Sequence, residues 1–205
     1  MITVKINGEE RQYPQGATYE DVANDYQQEY ENLIALAARD GKIRELFKKL
    51  TRDCEVTFFT LKDDVGNKTY VRSATMLFLK AVFDVYGREA AQSCRVEFAI
   101  GNGSYISPKE KINATEENAA KIRNRMRELV EAKTPFLKRS YSLDNAMELF
   151  RKEGMKDKEK LFRYRRGSFV NIYEMDGYYD YYYGYMLPNA GYVKWFDVIA
   201  YEDGF

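Results

Sequence analysis

Ile2, Val4 and Ile6 alternate with polar residues and run directly into Asn7-Gly8. Alternation with a period of two marks a half-buried strand. Asn-Gly is the pair best suited to a two-residue type I′ turn, because both positions need positive φ. The chain therefore opens with a hairpin whose return strand takes in residues 11–13. Thr18 then reads as a helix N-cap, with Glu20 and Asp21 placed favourably in the first turn. The helix is expected over residues 22–28. Residues 33–38 read as a short buried strand, Asp40-Gly41 as a turn, and 43–47 as a further strand or short helix. The β-branched and aromatic run at 55–61 reads as a strand.

Strand-strand-helix-strand-strand-strand is the order of a ubiquitin-like β-grasp module. Residues 62–68 (KDDVGNK) are polar with a glycine and read as a linker. A helix is expected over 70–86, ended by Gly87, with Met76, Leu77, Leu79, Val82, Phe83 and Tyr86 wrapping most of its circumference. Residues 95–100 and 104–106 flank Gly101-Asn102-Gly103 as a hairpin. Thr115 opens a helix to about residue 133, with an apolar stripe of Ala119, Ile122, Met126, Leu129 and Val130, and Pro135 beyond its end. A strand over 136–140 and a helix over 143–152, capped by Ser142 and ended by Gly154, come next. After a stretch of mixed charge, 170–174, 179–185 and 192–201 read as strands of a meander. The fold class is α+β: a β-grasp module over 1–61, a linker over 62–69, and a second α+β domain over 70–205 with a mainly antiparallel sheet and long helices.

Histidine is absent. A chain without it cannot run a Ser-His-Asp, Cys-His or His-metal mechanism, although carboxylates, Lys, Tyr and Cys remain. Cys54 and Cys94 lie far from any C-x-x-C spacing, which argues against a disulfide scaffold or thiolate zinc and fits a reducing cytoplasm. Both read as small buried residues rather than nucleophiles. No basic leader with an apolar stretch opens the chain, and no apolar run is long enough to span a bilayer, so no membrane association is expected. Net charge is zero, yet Lys and Arg dominate from Lys121 to Arg166, while Lys194 is the one base between Asn171 and Phe205. Either the two segments attract each other, or the basic one is an anion- or RNA-binding stripe.

Several stretches carry a family resemblance: "LKDDVGNKTYVRSATMLFLKAV", "EFAIGNGSYI", "INATEENAAKIRNRMRELVEAKTPFLKRSYSLDNAMELFRKEG" and Pro188-Asn189 after Gly184. In order and spacing they resemble the TGS domain and the editing-type domain that begin threonyl-tRNA synthetases. The tyrosine-rich "MDGYYDYYYGYMLPNAGYVKWFDVIAYEDGF" resembles more closely the same pair of domains at the front of bacterial uridine-kinase-type nucleoside kinases. The resemblance implies His-x-x-x-His on the first long helix and Cys-x-x-x-His later in the chain. The matching positions here are Ser73, Leu77, Tyr182 and Met186, none of which binds zinc at ordinary affinity or shuttles protons. The editing chemistry is thus expected to be lost, with no catalytic residue and no metal ligand to assign.

The leading expectation is a non-catalytic regulatory or ligand-binding region acting on a kinase attached in cis. No phosphate-binding G-x-x-x-x-G-K-[ST] occurs here, so the chain needs no cofactor of its own; ATP and Mg²⁺ would belong to a downstream kinase domain. Ser73, Leu77, Tyr182 and Met186 would line a cleft, with Arg72 and Tyr183 as ligand contacts. The alternative is an RNA- or tRNA-binding module using Arg163, Arg165 and Arg166 with Tyr164 and the tyrosines at 178–185. Alternation would put Tyr179, Tyr181, Tyr183 and Tyr185 on one strand face, and Tyr178 and Tyr182 on the other. A residual aminoacyl-tRNA hydrolase using Ser73 and water is the third reading.

Overall fold

The computed structural model describes every residue except Asn102 and Arg166. The expected Gly101-Asn102-Gly103 turn and the third arginine of the basic patch therefore lie partly outside the described residues. The chain divides into two compact units, one of Met1–Ser73 with Tyr183–Pro188, the other of Ala74–Tyr182 with Asn189–Phe205.

In the first unit, β1 (Ile2–Ile6) and β2 (Glu9–Tyr13) form the opening hairpin, in register from Ile2↔Tyr13 to Ile6↔Glu9. Asn7 and Gly8 take φ of 52° and 88°, as the type I′ turn requires. Helix α1 (Tyr19–Tyr26) starts on a capping box: Thr18 Oγ1 accepts from the Asp21 amide, and Asp21 Oδ2 accepts from the Thr18 amide. β3 (Ile34–Arg39) lies antiparallel to β4 (Lys42–Glu45) and to β5 (Cys54–Thr60), and β5 runs parallel to β1. The mixed sheet thus has the order β2-β1-β5-β3-β4. Ile2, Val4, Ile6, Tyr19, Val22, Tyr26, Ile34, Leu36, Leu46 and Val56 make its core.

The segment read as a linker is helical from Asp64. Helix α2 (Asp64–Tyr86) begins with the Asp63 carbonyl accepting from the Asn67 amide, while Asp63 Oδ2 accepts from the Thr60 amide at 2.7 Å. Gly66 is there for space, not flexibility: a Cβ at this position would sit 1.9 Å from the Thr60 carbonyl oxygen. Polarity and a glycine look the same in a linker and in a tightly docked first helical turn, and the sequence does not distinguish them.

In the second unit come α3 (Arg88–Ser93), the hairpin of β6 (Arg95–Ile100) and β7 (Gly103–Ser107), and α4 (Glu116–Glu131), capped by Thr115 and burying Ala119, Ile122, Met126 and Leu129. β8 (Leu137–Ser142) leads into α5 (Leu143–Lys152), where Ser142 Oγ accepts from the Asn145 amide and Gly154 ends the helix region at φ 73°. α6 (Lys156–Arg163) follows, then β9 (Phe169–Met175) and β10 (Tyr178–Asp180), giving an antiparallel sheet of order β10-β9-β8. Ala146, Phe150, Met155, Phe162, Val170 and Ile172 form one of its core clusters.

Two expectations fail here, and one helix carries no expectation. The stretch of mixed charge after α5 contains α6, which buries Phe162 alone and so carries almost no apolar stripe to read. The expected strand at 179–185 stops at Asp180, whose carboxylate takes the Tyr181 amide at 2.7 Å; Gly184 then adopts φ 126°. The two-faced tyrosine strand therefore does not exist beyond that point. The expected strand at 192–201 is a single 3₁₀ turn, Ala190–Tyr192, followed by irregular chain. Among the described residues, no helix is long and apolar enough to cross a membrane.

Replacing Gly66 by Ala is expected to destabilise the protein by roughly 3 kcal/mol, the upper end of ordinary overpacking, because the obstructing atom is backbone. Gly41→Ala, where nothing lies within 4 Å, should cost only the strain of its positive φ. Urea denaturation of the two variants beside the parent measures the difference; equal losses would refute the close-approach reading.

Candidate functional site

Of the four positions expected to line a cleft, Ser73 holds up a loop that contains Met186. Ser73 is wholly buried. Its Oγ donates to the Thr69 carbonyl at 2.8 Å, one turn back along α2, and accepts from the Leu187 amide at 2.9 Å. Met186 is equally buried, with its sulfur 3.9 Å from the same oxygen. Arg72 donates to the Tyr185 carbonyl at 2.7 Å, and the buried Glu45 carboxylate accepts from the Met186 amide at 3.2 Å. Three side chains thus satisfy three successive main-chain groups of a segment with no strand partner, as a buried backbone requires. Gly184 permits this: a Cβ there would fall 2.7 Å from Arg72 Cζ, and the φ of 126° suits glycine. A hydroxyl whose proton is held by a carbonyl and whose lone pair is held by an amide is not poised as a nucleophile.

Leu77, one turn beyond Ser73 on α2, is wholly buried. Arg72, expected as a ligand contact, is engaged in the loop, while Tyr183, the other expected contact, is 87% exposed. Tyr182 lies in the second unit, edge-on to Tyr173 with ring centres 6.4 Å apart. It lines a cleft of about 560 Å³ together with Gln92, Cys94, Lys158, Tyr178 and Asp180. Sequence reading did not find Asp180 as a site residue, because a carboxylate inside a tyrosine run carries no motif. It is buried, and burial raises its carboxyl above the ordinary range against the pull of Lys158, whose Nζ stands 3.2 Å away. Burial also lifts the Tyr178 hydroxyl well above its usual value and pushes the Cys94 thiol up to about 12, which leaves that thiol unreactive. Among the described residues, no three His, Cys, Asp or Glu side chains group to hold a metal ion.

Part of the charge asymmetry is spent inside the second unit. Arg123 pairs with Asp197 at 3.0 Å, Arg139 with Glu174 at 2.9 Å, and Lys158 with Asp180. The basic patch at the end of α6 stands apart from these pairs. Arg163 and Tyr164 are exposed, Tyr164 to 83%. Arg165 donates to the Tyr181 hydroxyl at 2.9 Å and lies 5.3 Å from the centre of the Phe162 ring, a cation–π arrangement. Arg166 lies outside the described residues.

No family model matches the chain. The threonine–tRNA ligase of Thermotoga maritima is 29% identical over 205 residues, covering 97% of this chain and 30% of the ligase. The threonine–tRNA ligases of Porphyromonas gingivalis and Carboxydothermus hydrogenoformans are each 25% identical over 201 residues, covering 95% and 97% of this chain. The chain spans about 30% of the length of these relatives and is similar to their N-terminal regions. They are ligases, and the expected kinship with uridine-kinase-type kinases draws no support from them.

Ser73→Ala leaves the buried Leu187 amide without its acceptor and is expected to cost roughly 1–3 kcal/mol, read by urea denaturation. If Ser73→Ala instead left stability unchanged and abolished deacylation of a charged tRNA, the hydrolase reading would be restored. Asp180 gives a pH signature. Its folded-state pKa is raised, so the folded state holds the proton more tightly, and this group's contribution to stability falls as pH rises through the carboxylate range. Asp180→Asn should remove that fall. The stability difference between variant and parent, followed from about pH 4 to about pH 7, should shift in favour of the variant as pH rises; a flat difference would refute it.

Proposed function

We propose that this chain is a tRNA-recognition region of the kind that begins threonyl-tRNA synthetases, binding tRNA without acting on it. The observation that carries this reading is the likeness to threonine–tRNA ligases along 97% of the chain, alongside a Ser73 and a Met186 given over to packing. The sheet order β2-β1-β5-β3-β4, with its parallel β1/β5 pair and single packed helix, supports reading residues 1–61 as a TGS-type β-grasp module. The second unit is compatible with an editing-type domain whose chemical groups have been replaced. The boundary between the two units falls within the residue range of α2. An attached kinase, and ATP and Mg²⁺ with it, has no observation in its favour. RNA contact is best served by Arg163, Tyr164 and Arg165, where a free aromatic face sits between two cations.

Binding of threonine-accepting tRNA, measured by fluorescence anisotropy across a salt series, is expected to weaken linearly in log–log form, because phosphate contacts release counterions. Arg163→Ala with Arg165→Ala should reduce that slope by about one to two. Mischarged tRNA should remain acylated in the presence of the protein. Salt-independent affinity, or a slope untouched by the double variant, would overturn the assignment of this patch.

A further inference from the structure

The β6–β7 hairpin carries a surface that the RNA reading leaves unused. The two strands form a sheet by themselves. The outer edge of β7 is occupied: Ile106 exchanges both main-chain hydrogen bonds with Phe205, at 2.8 and 3.0 Å. The outer edge of β6 has no strand against it among the described residues, and all six of its residues are exposed. An open, unpaired strand edge is a template for another strand unless it is blunted by proline, lysine or a cover. β6 reads RVEFAI: it has neither proline nor lysine, and of its two charged residues Glu97 is paired with Lys109.

Beside that edge lies an open groove of about 810 Å³, lined by Phe98, Ile100, Tyr105, Tyr201, Glu202 and Asp203. Phe98 stacks on Tyr105 with ring centres 5.0 Å apart, and Tyr105 meets Tyr201 edge-on. Phe98 and Ile100 are 54% and 43% exposed, apolar surface held in place but not covered. The charged groups that line the groove are carboxylates: Glu202 is exposed, and Asp203 accepts the Tyr105 hydroxyl, which together with the charge of Lys109 holds its carboxyl below the usual range. A floor of aromatic and aliphatic groups under two negative charges repels phosphate and favours a cationic, apolar partner.

We propose that the open edge of β6 and its groove take an extended basic segment of a partner protein as an added strand. Its alternate apolar side chains rest on Phe98 and Ile100, and its lysines or arginines lie beside Glu202 and Asp203. Main-chain pairing supplies the binding, and the alternate side chains supply the choice of partner. This inference is independent of the tRNA reading, since it uses a different face and the opposite sign of charge.

The test uses the full chain with two short fluorescein-labelled peptides, one of alternating valine and lysine, the other of alternating valine and glutamate. Anisotropy should show binding of the lysine peptide only. N-methylation of alternate amides in that peptide should abolish binding, which separates strand addition from simple apolar contact. Ile100→Lys and Glu202→Lys, both at exposed positions, should each weaken it by about tenfold, with circular dichroism unchanged. Equal binding of the two peptides, binding that survives N-methylation, or no binding of the lysine peptide would overturn the proposal. So would a concentration-dependent dimer in sedimentation velocity that Ile100→Lys dissociates, because the occupant would then be a second copy of this chain. Competition from an RNA oligonucleotide that Glu202→Lys strengthens would likewise assign the face to nucleic acid instead.

Discussion

The Ser73 hydroxyl is the point on which the first unit's loop depends. It links the Thr69 carbonyl to the Leu187 amide inside a region from which water is excluded. Among the described residues no strand pairs with 183–188, and the Tyr185 carbonyl and the Met186 and Leu187 amides are satisfied by Arg72, Glu45 and Ser73. Each such group left unsatisfied costs on the order of 1–3 kcal/mol, more than a well-made hydrogen bond contributes net. The same geometry that stabilises the loop withdraws the hydroxyl from chemistry.

The second unit handles buried charge in a related way. Lys80 is nearly inaccessible, yet its ammonium meets Asp84 at 2.8 Å and the Asp176 carbonyl at 2.7 Å. Asp180 is held by Lys158 and by the Tyr181 amide. Burying an ion without partners is costly, and pairing it offsets rather than reverses that cost. The Lys158–Asp180 pair also joins a base of the middle segment to an acid of the last. What remains at the surface is local: cations and an aromatic ring at the end of α6, carboxylates and aromatic rings beside β6. Two faces of opposite chemistry suit two different classes of partner.

Much of the architecture was legible in the residues. Asn7-Gly8, Thr18 with Asp21, Thr115 and Ser142 each carry their own local physics, since a turn or a cap is satisfied within a few residues of itself. The helix stripe of α4 and the span of α5 were readable for the same reason. The missed elements are those whose signal is not local. Helix α6 buries one large side chain, the first turn of α2 looks like a linker, and the tyrosine run looks like a strand until Asp180 captures an amide. The candidate site was legible only as a list of substitutions. That Ser73 and Met186 meet, that Arg72 reaches Tyr185, and that Asp180 lines a cleft all depend on contacts between residues far apart in the chain.

The sequence by itself determined the opening hairpin, the capped helices and the absence of imidazole, because composition and short-range signals need no folding to be read. Only the tertiary structure decided what Ser73 and Met186 do. A serine can be a nucleophile, a cap or a latch, and the choice rests on which distant donor joins the local Thr69 carbonyl within 3 Å of its oxygen. Hydrogen bonds of that kind form when chain segments more than a hundred residues apart are packed together, and no local pattern encodes them.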